Sequence, residues 1–211
     1  MKEDKDDSRV ATAVDLRSFF REALTLAFEE RRVAATPPTE QYLVALLSDF
    51  AHPDELTQEM FERPISVLLA EALGMVGRER FERLRTLGDA VLYTTGFFFD
   101  HLKTRGVHLN YVSSLGARAY DGAASMLRQA DRGSGEGTSA PALFEELAHN
   151  FTPYTEVLAT LSSGLLARSA PDSDSGALRL YEKWLDTGSA ELARALMSRG
   201  IAPVRGHGGV H

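Results

Sequence analysis

Apolar residues recur along most of the chain at the three- and four-residue spacing of an α-helix, and few segments alternate as a β-strand would. A first helix is predicted from Asp15 to Val33, with a stripe that faces the core at Leu16, Phe19, Phe20, Ala23, Leu26 and Ala27. Pro37 and Pro38 then end this helix and start a second one. Continued along the chain, the pattern predicts an all-α protein with about eight helices in a single globular domain.

Two segments in the middle of the chain are predicted to form a central, buried helix pair. Residues 87–99 are apolar or small all round, apart from the charge on Asp89, and this composition is typical of a buried helix. The neighbouring segment 110–127 combines apolar side chains with small residues such as Gly116 on one face. Because small residues let a second helix approach closely, we expect the two helices to pack against each other.

Polar and glycine-rich segments predict the limits of the domain. Residues 1–9 and 203–211 are predicted to be disordered tails on either side of a helical domain at 10–202, and residues 131–141 are predicted to be a flexible linker within it. Gly77 is predicted to end one helix and Gly200 the last one. Two short helices joined at Thr187 and Gly188 are predicted to dock through Leu178, Tyr181, Trp184, Leu185, Leu192, Ala195 and Leu196.

The segment after the linker is predicted to be one long helix with a continuous buried seam. Its apolar residues follow at spacings of 3, 4, 3, 4, 3 and 4, at Phe144, Leu147, Phe151, Tyr154, Leu158, Leu161 and Leu165. Glu146 and His149 have the Glu-x-x-His spacing of carboxylate metal bundles, in which both side chains project inward. In the heptad that begins at Phe144 they occupy positions c and f, away from the core. We therefore predict a solvated face and no metal or other cofactor, with a metal site at these two residues as the alternative.

Composition restricts the classes of partner. The 211 residues include 23 basic and 30 acidic side chains, a net charge of -7 that disfavours nonspecific binding of nucleic acid. There is no cysteine, the first ten residues are charged unlike a signal peptide, and the longest nearly apolar run, residues 90–99, is too short to span a bilayer. We therefore expect a cytoplasmic protein without membrane contact. No nucleotide-binding or nucleophile-elbow motif occurs.

Asp89 is the polar residue of greatest interest, because it lies among apolar neighbours. Such a carboxylate has a raised pKa, finds a hydrogen-bond partner or caps a helix. Gly88 favours the last of these, since it could break the preceding helix and leave Asp89 as the N-cap of a new one. The alternative is a buried acid that faces a cavity.

Other candidate residues lie off the buried stripes. Tyr93 and Phe97 are displaced from the stripe that contains Leu84 and Val91, so they need a second apolar environment in the core, a partner subunit or an apolar ligand. Tyr111 and Arg118 lie on the side of their helix opposite its small residues.

These observations favour a non-enzymatic helical module that binds itself or another protein. The alternative is a helical bundle, either a binding protein or an enzyme, that holds an apolar small molecule in a cavity near Asp89. A metal bundle at Glu146 and His149 ranks last.

Overall fold

The computed structural model describes residues 3–50, 63–97, 108–134 and 140–204, with side chains throughout these ranges except at 3–15, 133, 134 and 186. These residues form nine helices and no strand, which confirms the all-α prediction. The helices are α1 (Glu3–Arg31), α2 (Pro37–Asp49), α3 (Ile65–Gly74), α4 (Gly77–Phe97), α5 (Leu109–Ser134), α6 (Ala140–His149), α7 (Phe151–Ser169), α8 (Asp174–Thr187) and α9 (Ala190–Ser198). They belong to two compact units, Met1–Leu158 and Ala159–His211. None of the described helices is both long and apolar enough to cross a lipid bilayer.

Helices α4 and α5 form the predicted central pair. From Leu87 to Gly96 of α4, every residue except Tyr93 is buried. Glycines permit the close contact: a Cβ on Gly88 would lie 2.6 Å from Cδ1 of Tyr120, and one on Gly116 would lie 2.7 Å from Cγ1 of Val91. The small residues therefore set how closely the two helices pack.

Helix α1 begins at Glu3 rather than at Asp15, so residues 3–9 have a helical backbone where a disordered tail is predicted. No proline or glycine interrupts this stretch, and acidic residues near a helix N-terminus interact favourably with the helix dipole. The helix ends at Arg31. Arg32 then adopts a left-handed conformation with φ 53°, and the amide of Val33 bonds back to the carbonyl of Phe28.

The predicted stripe of α1 divides between the core and solvent. The buried residues are Phe20, Leu24, Ala27 and Phe28, whereas Phe19 is 39% and Leu26 53% exposed. Since Phe20 and Leu26 are about 120° apart around the helix, one packed face cannot cover both. The prediction that all six apolar residues face the core is wrong for this reason.

Three helix limits differ from those predicted. Helix α3 ends at Gly74, and Gly77, with φ 58°, is the first residue of α4 rather than the end of its predecessor. The predicted linker 131–141 is helical at both ends, in α5 to Ser134 and in α6 from Ala140, and its remaining residues lie outside the described part.

The predicted long helix after the linker is divided at Asn150 into α6 and α7. Pro153 accounts for the break, because it has no amide hydrogen to donate to the carbonyl of His149 and its ring crowds that carbonyl. The buried seam nevertheless continues across the break through Phe144, Leu147, Phe151, Tyr154 and Leu158.

In the second unit, helices α8 and α9 have serine N-caps: Ser173 accepts from the amide of Gly176 and Ser189 from that of Leu192. Gly188 and Gly200, with φ 66° and 75°, follow the two helices in left-handed conformations, as predicted for helix ends. The core of this unit contains Leu180, Trp184, Leu192 and Leu196.

Two residues predicted to dock face solvent instead. Leu178 is 58% and Leu185 43% exposed, because the buried side of α8 is centred on Leu180 and Trp184, on the opposite side of the helix. The predicted terminal tail begins with an ordered contact, since the hydroxyl of Tyr181 donates to the carbonyl of Val204 at 2.7 Å.

Candidate functional site

Asp89 lies in the interior of α4, and its residue is only 8% exposed. The helix runs without a break through Gly88, so the prediction that Asp89 caps a new helix is wrong. Gly88 serves close packing instead, because the ring of Tyr120 occupies the space beside it.

Two tyrosine hydroxyls donate to the same oxygen of Asp89. The Tyr42 hydroxyl of α2 lies 2.5 Å from Oδ1, and the Tyr120 hydroxyl of α5 lies 2.8 Å from it. Hydrogen bonds to an ionised acceptor are stronger than those between neutral groups. We call these three residues the tyrosine–aspartate cluster. The cluster connects α2, α4 and α5 inside the first unit.

The electrostatics of this cluster follow from its burial. Burial raises the pKa of Asp89 from 3.8 to about 6, although the hydrogen bonds from Tyr42 and Tyr120 and the charge of Arg85 oppose the rise. Burial and the neighbouring charge of Asp89 raise the pKa of both tyrosines. At neutral pH the cluster thus holds one carboxylate between two protonated hydroxyls.

Glu146 was predicted to lie on a solvated face, but its side chain instead contacts the start of α2. Its Oε1 accepts from the amide of Thr36 at 2.9 Å and from the hydroxyl of Tyr154 at 2.7 Å, and its Oε2 accepts from the hydroxyls of Thr36 at 2.5 Å and Thr39 at 2.8 Å. Since the side chain of Thr36 makes no capping bond of its own, Glu146 caps α2 from a different helix.

The pKa of Glu146 reflects these contacts. Partial burial would raise it, but the hydrogen bonds from Thr36, Tyr154 and Thr39 outweigh that effect and lower the pKa. Both carboxylate oxygens are used in capping. His149, one turn further on, is exposed. Within the described residues there is no group of three or more His, Asp or Glu side chains suited to hold a metal ion. Asp49 and His52 have a similar spacing in the sequence, but His52 lies outside the described residues.

Tyr93 and Phe97 find a second apolar environment within their own chain. The rings of Tyr93 and Phe97 stack with centroids 4.8 Å apart, and the ring of Phe50, at the end of α2, stacks on the other side of Tyr93 at the same distance. Burial raises the pKa of Tyr93. The stack joins the end of α2 to the end of α4.

Tyr111 and Arg118 lie on the solvent side of α5, as predicted, and Tyr111 is 56% exposed. Arg118 borders an open groove of about 780 Å³ between α5 and α6, to which Asp121, Glu145, Glu146 and His149 also contribute. The structure thus places Arg118, Glu146 and His149 around one groove, whose lining does not include Asp89, Tyr42 or Tyr120.

Sequence reasoning missed the partners of both carboxylates. Tyr42 and Tyr120 stand among apolar residues, and a buried aspartate needs donors of this kind, so inward-facing tyrosines were the available signal. Thr36 and Thr39 flank two prolines at a helix start, where hydroxyls and free amides are expected.

Comparison of the chain with protein-family models, curated protein sequences and solved structures finds no match in any of the three. Functional inference therefore depends on the geometry.

Proposed function

We propose that this chain is a non-enzymatic helical module that binds other proteins and associates with a second copy of itself through α8. The observation that carries the proposal is a leucine pair, Leu178 and Leu185, on the side of α8 opposite its buried residues. The two leucines are one heptad apart, about 10 Å along the helix. Tyr181 lies beside them and is half-buried.

The use of the buried and half-buried carboxylates supports a non-enzymatic role. Asp89 accepts bonds from Tyr42 and Tyr120, and Glu146 accepts bonds from Thr36, Thr39 and Tyr154. These bonds connect helices of the first unit. Carboxylates used in this way serve packing and capping rather than acid or base chemistry.

The charges beside the leucine pair favour a second copy as the partner. Arg179 and Glu182 are both exposed and have opposite charges. In a two-fold, antiparallel pair of α8 helices, Leu178 of one copy lies next to Leu185 of the other, and Arg179 approaches Glu182. The leucine pair and its flanking charges are therefore self-complementary.

Sedimentation velocity of the full chain over a range of concentrations tests the proposal. We expect a reversible dimer that becomes monomeric in the double variant Leu178→Glu/Leu185→Glu, with unchanged helicity and melting temperature because both side chains face solvent in the monomer. Val76→Glu is the matched control, since Val76 is 79% exposed and lies outside α8. A wild type that stays monomeric throughout, or a double variant that dimerises like wild type, would show that α8 does not mediate self-association.

We further propose a cytoplasmic location and no binding of nucleic acid, on the basis of the net charge of -7 and the absence of cysteine.

A further inference from the structure

Helix α1 has an apolar face that the described residues of its own unit cover only in part. Its members, Leu16, Phe19, Ala23 and Leu26, recur at spacings of three, four and three residues, and we call them the outer stripe. Phe19 is 39% and Leu26 53% exposed, whereas Leu16 and Ala23 are half-buried. The contacts of the helix with the core come from its buried residues, Phe20, Leu24, Ala27 and Phe28.

The spacing of the outer stripe is that of a helix–helix seam. Residues at alternating intervals of three and four form one line along a helix, and a second helix with the same spacing can interdigitate with them. From Leu16 to Leu26 the line covers about 15 Å, or close to three turns. This length suits an amphipathic helix with three or four apolar anchors.

The exposed charges of α1 that lie nearest to Leu26 have one sign. Glu22, Glu29 and Glu30 are exposed and lie within about 60° of Leu26 around the helix. Arg17 and Arg21 are also exposed but lie about 140° to 180° away from Leu26, on the far side. A partner that packs on the outer stripe near Leu26 therefore meets glutamates at its edge.

This acidic border decides which partner fits. A second copy of α1 would bring glutamates against glutamates, which is unfavourable whether the helices run parallel or antiparallel. A helix with Lys or Arg beside its apolar anchors would form complementary pairs with Glu22 and Glu29. We infer that the outer stripe of α1 is the docking surface for a basic amphipathic helix of another protein. This surface is separate from the leucine pair of α8 and does not depend on it.

The test uses two designed helical peptides that share leucines at the a and d heptad positions. One has lysine and the other glutamate at e and g, and binding to the full chain is measured by fluorescence anisotropy at several salt concentrations. We expect the lysine peptide to bind more tightly than the glutamate peptide, and its affinity to fall with added salt. Equal binding of the two peptides would overturn the proposal.

Two variants locate the binding. Glu22→Lys/Glu29→Lys should weaken binding of the lysine peptide by about tenfold or more. The control Glu79→Lys/Asp172→Lys changes the net charge equally at exposed positions outside α1 and should bind like wild type. Equal losses in both variants would mean attraction to overall charge, contrary to the proposal.

A third variant tests the apolar contact and the rival occupant. Phe19→Ser/Leu26→Ser should abolish peptide binding while helicity and melting temperature stay near those of wild type, because both side chains are exposed. If this variant keeps peptide binding, the outer stripe is not the site of a basic helix. If the variant instead converts a wild-type dimer to a monomer, the outer stripe binds a second copy of the chain rather than a basic helix.

Discussion

The hydroxyl of Tyr42 lies 2.5 Å from Oδ1 of Asp89, so a side chain from α2 directly holds a carboxylate buried in α4. Tyr120 donates to the same oxygen from α5. Because three helices meet at one acceptor atom, the stability of the first unit should respond strongly to changes at any of these residues.

Replacing Tyr42 or Tyr120 by Phe removes one donor to a buried charge. We expect each variant to lower the free energy of unfolding by about 1.5 to 3 kcal/mol at pH 8, where Asp89 is ionised. Chemical denaturation measures the change. Tyr111→Phe is the control, because Tyr111 is 56% exposed and should tolerate the loss of its hydroxyl. If all three variants behave alike, the tyrosine–aspartate cluster does not contribute to stability.

The raised pKa of Asp89 predicts a pH dependence with a definite sign. Burial raises the pKa from 3.8 to about 6, so between these values the folded protein binds the proton more tightly than the unfolded chain. The free energy of unfolding contributed by Asp89 is therefore fully present at low pH and is lost as the pH rises through the folded pKa.

Asp89→Asn tests this dependence, since the amide has no such proton to lose. The free energy of unfolding of the variant, relative to wild type, should rise by roughly 2 to 2.5 kcal/mol between pH 4 and pH 7. Taking the difference cancels the opposite contribution of Glu146, whose pKa is lowered. A difference that stays constant over this range would mean that Asp89 titrates normally.

Loss of the Glu146 carboxylate should destabilise the start of α2. Glu146→Ala removes the acceptor for the Thr36 amide, which we expect to cost about 1 to 2 kcal/mol and to speed hydrogen exchange of that amide. Glu145→Ala is the neighbouring control, because Glu145 forms a half-exposed ion pair with Arg128 worth less than about 1 kcal/mol. Unchanged exchange at Thr36 in Glu146→Ala would contradict the capping role.

A methyl group at Gly88 should be poorly tolerated. Its Cβ would lie 2.6 Å from two atoms of the Tyr120 ring, so Gly88→Ala is expected to lower the free energy of unfolding by about 1 to 3 kcal/mol despite the better helix propensity of alanine. At Gly74 a Cβ meets nothing within 4 Å, so Gly74→Ala should be neutral or slightly stabilising. Thermal unfolding of both variants distinguishes steric crowding from propensity, and equal melting temperatures would argue against close packing at Gly88.

Periodicity along the chain was sufficient to predict the all-α class and the central pair of α4 and α5, although not every helix limit, because apolar spacing is a local property. It failed where neighbouring helices decide the outcome. The heptad places Glu146 at position c, yet the start of α2 packs beside it and supplies three donors, and Tyr154 of α7 supplies a fourth. Likewise, spacing alone could not show that α1 is covered at Phe20 and left open at Leu26.

Gly88 and Asp89 are a second case in which the local sequence was not sufficient to predict the structure. Gly88 was a reasonable signal for a helix break, because glycine has low helix propensity. Its actual role depends on the Tyr120 ring, which comes from a residue 32 positions further along the chain. A single sequence contains no direct signal for such a pairing.

The close approach of Gly88 to Tyr120 has a consequence for how this chain can evolve. A larger residue at 88 would require a smaller one at 120, but any replacement without the hydroxyl would remove one of the two donors to Asp89. Asp89 would then have to become neutral as well. Positions 88, 89 and 120 are therefore expected to be epistatic, so that divergent sequences with this fold either keep Gly, Asp and Tyr together or have exchanged all three.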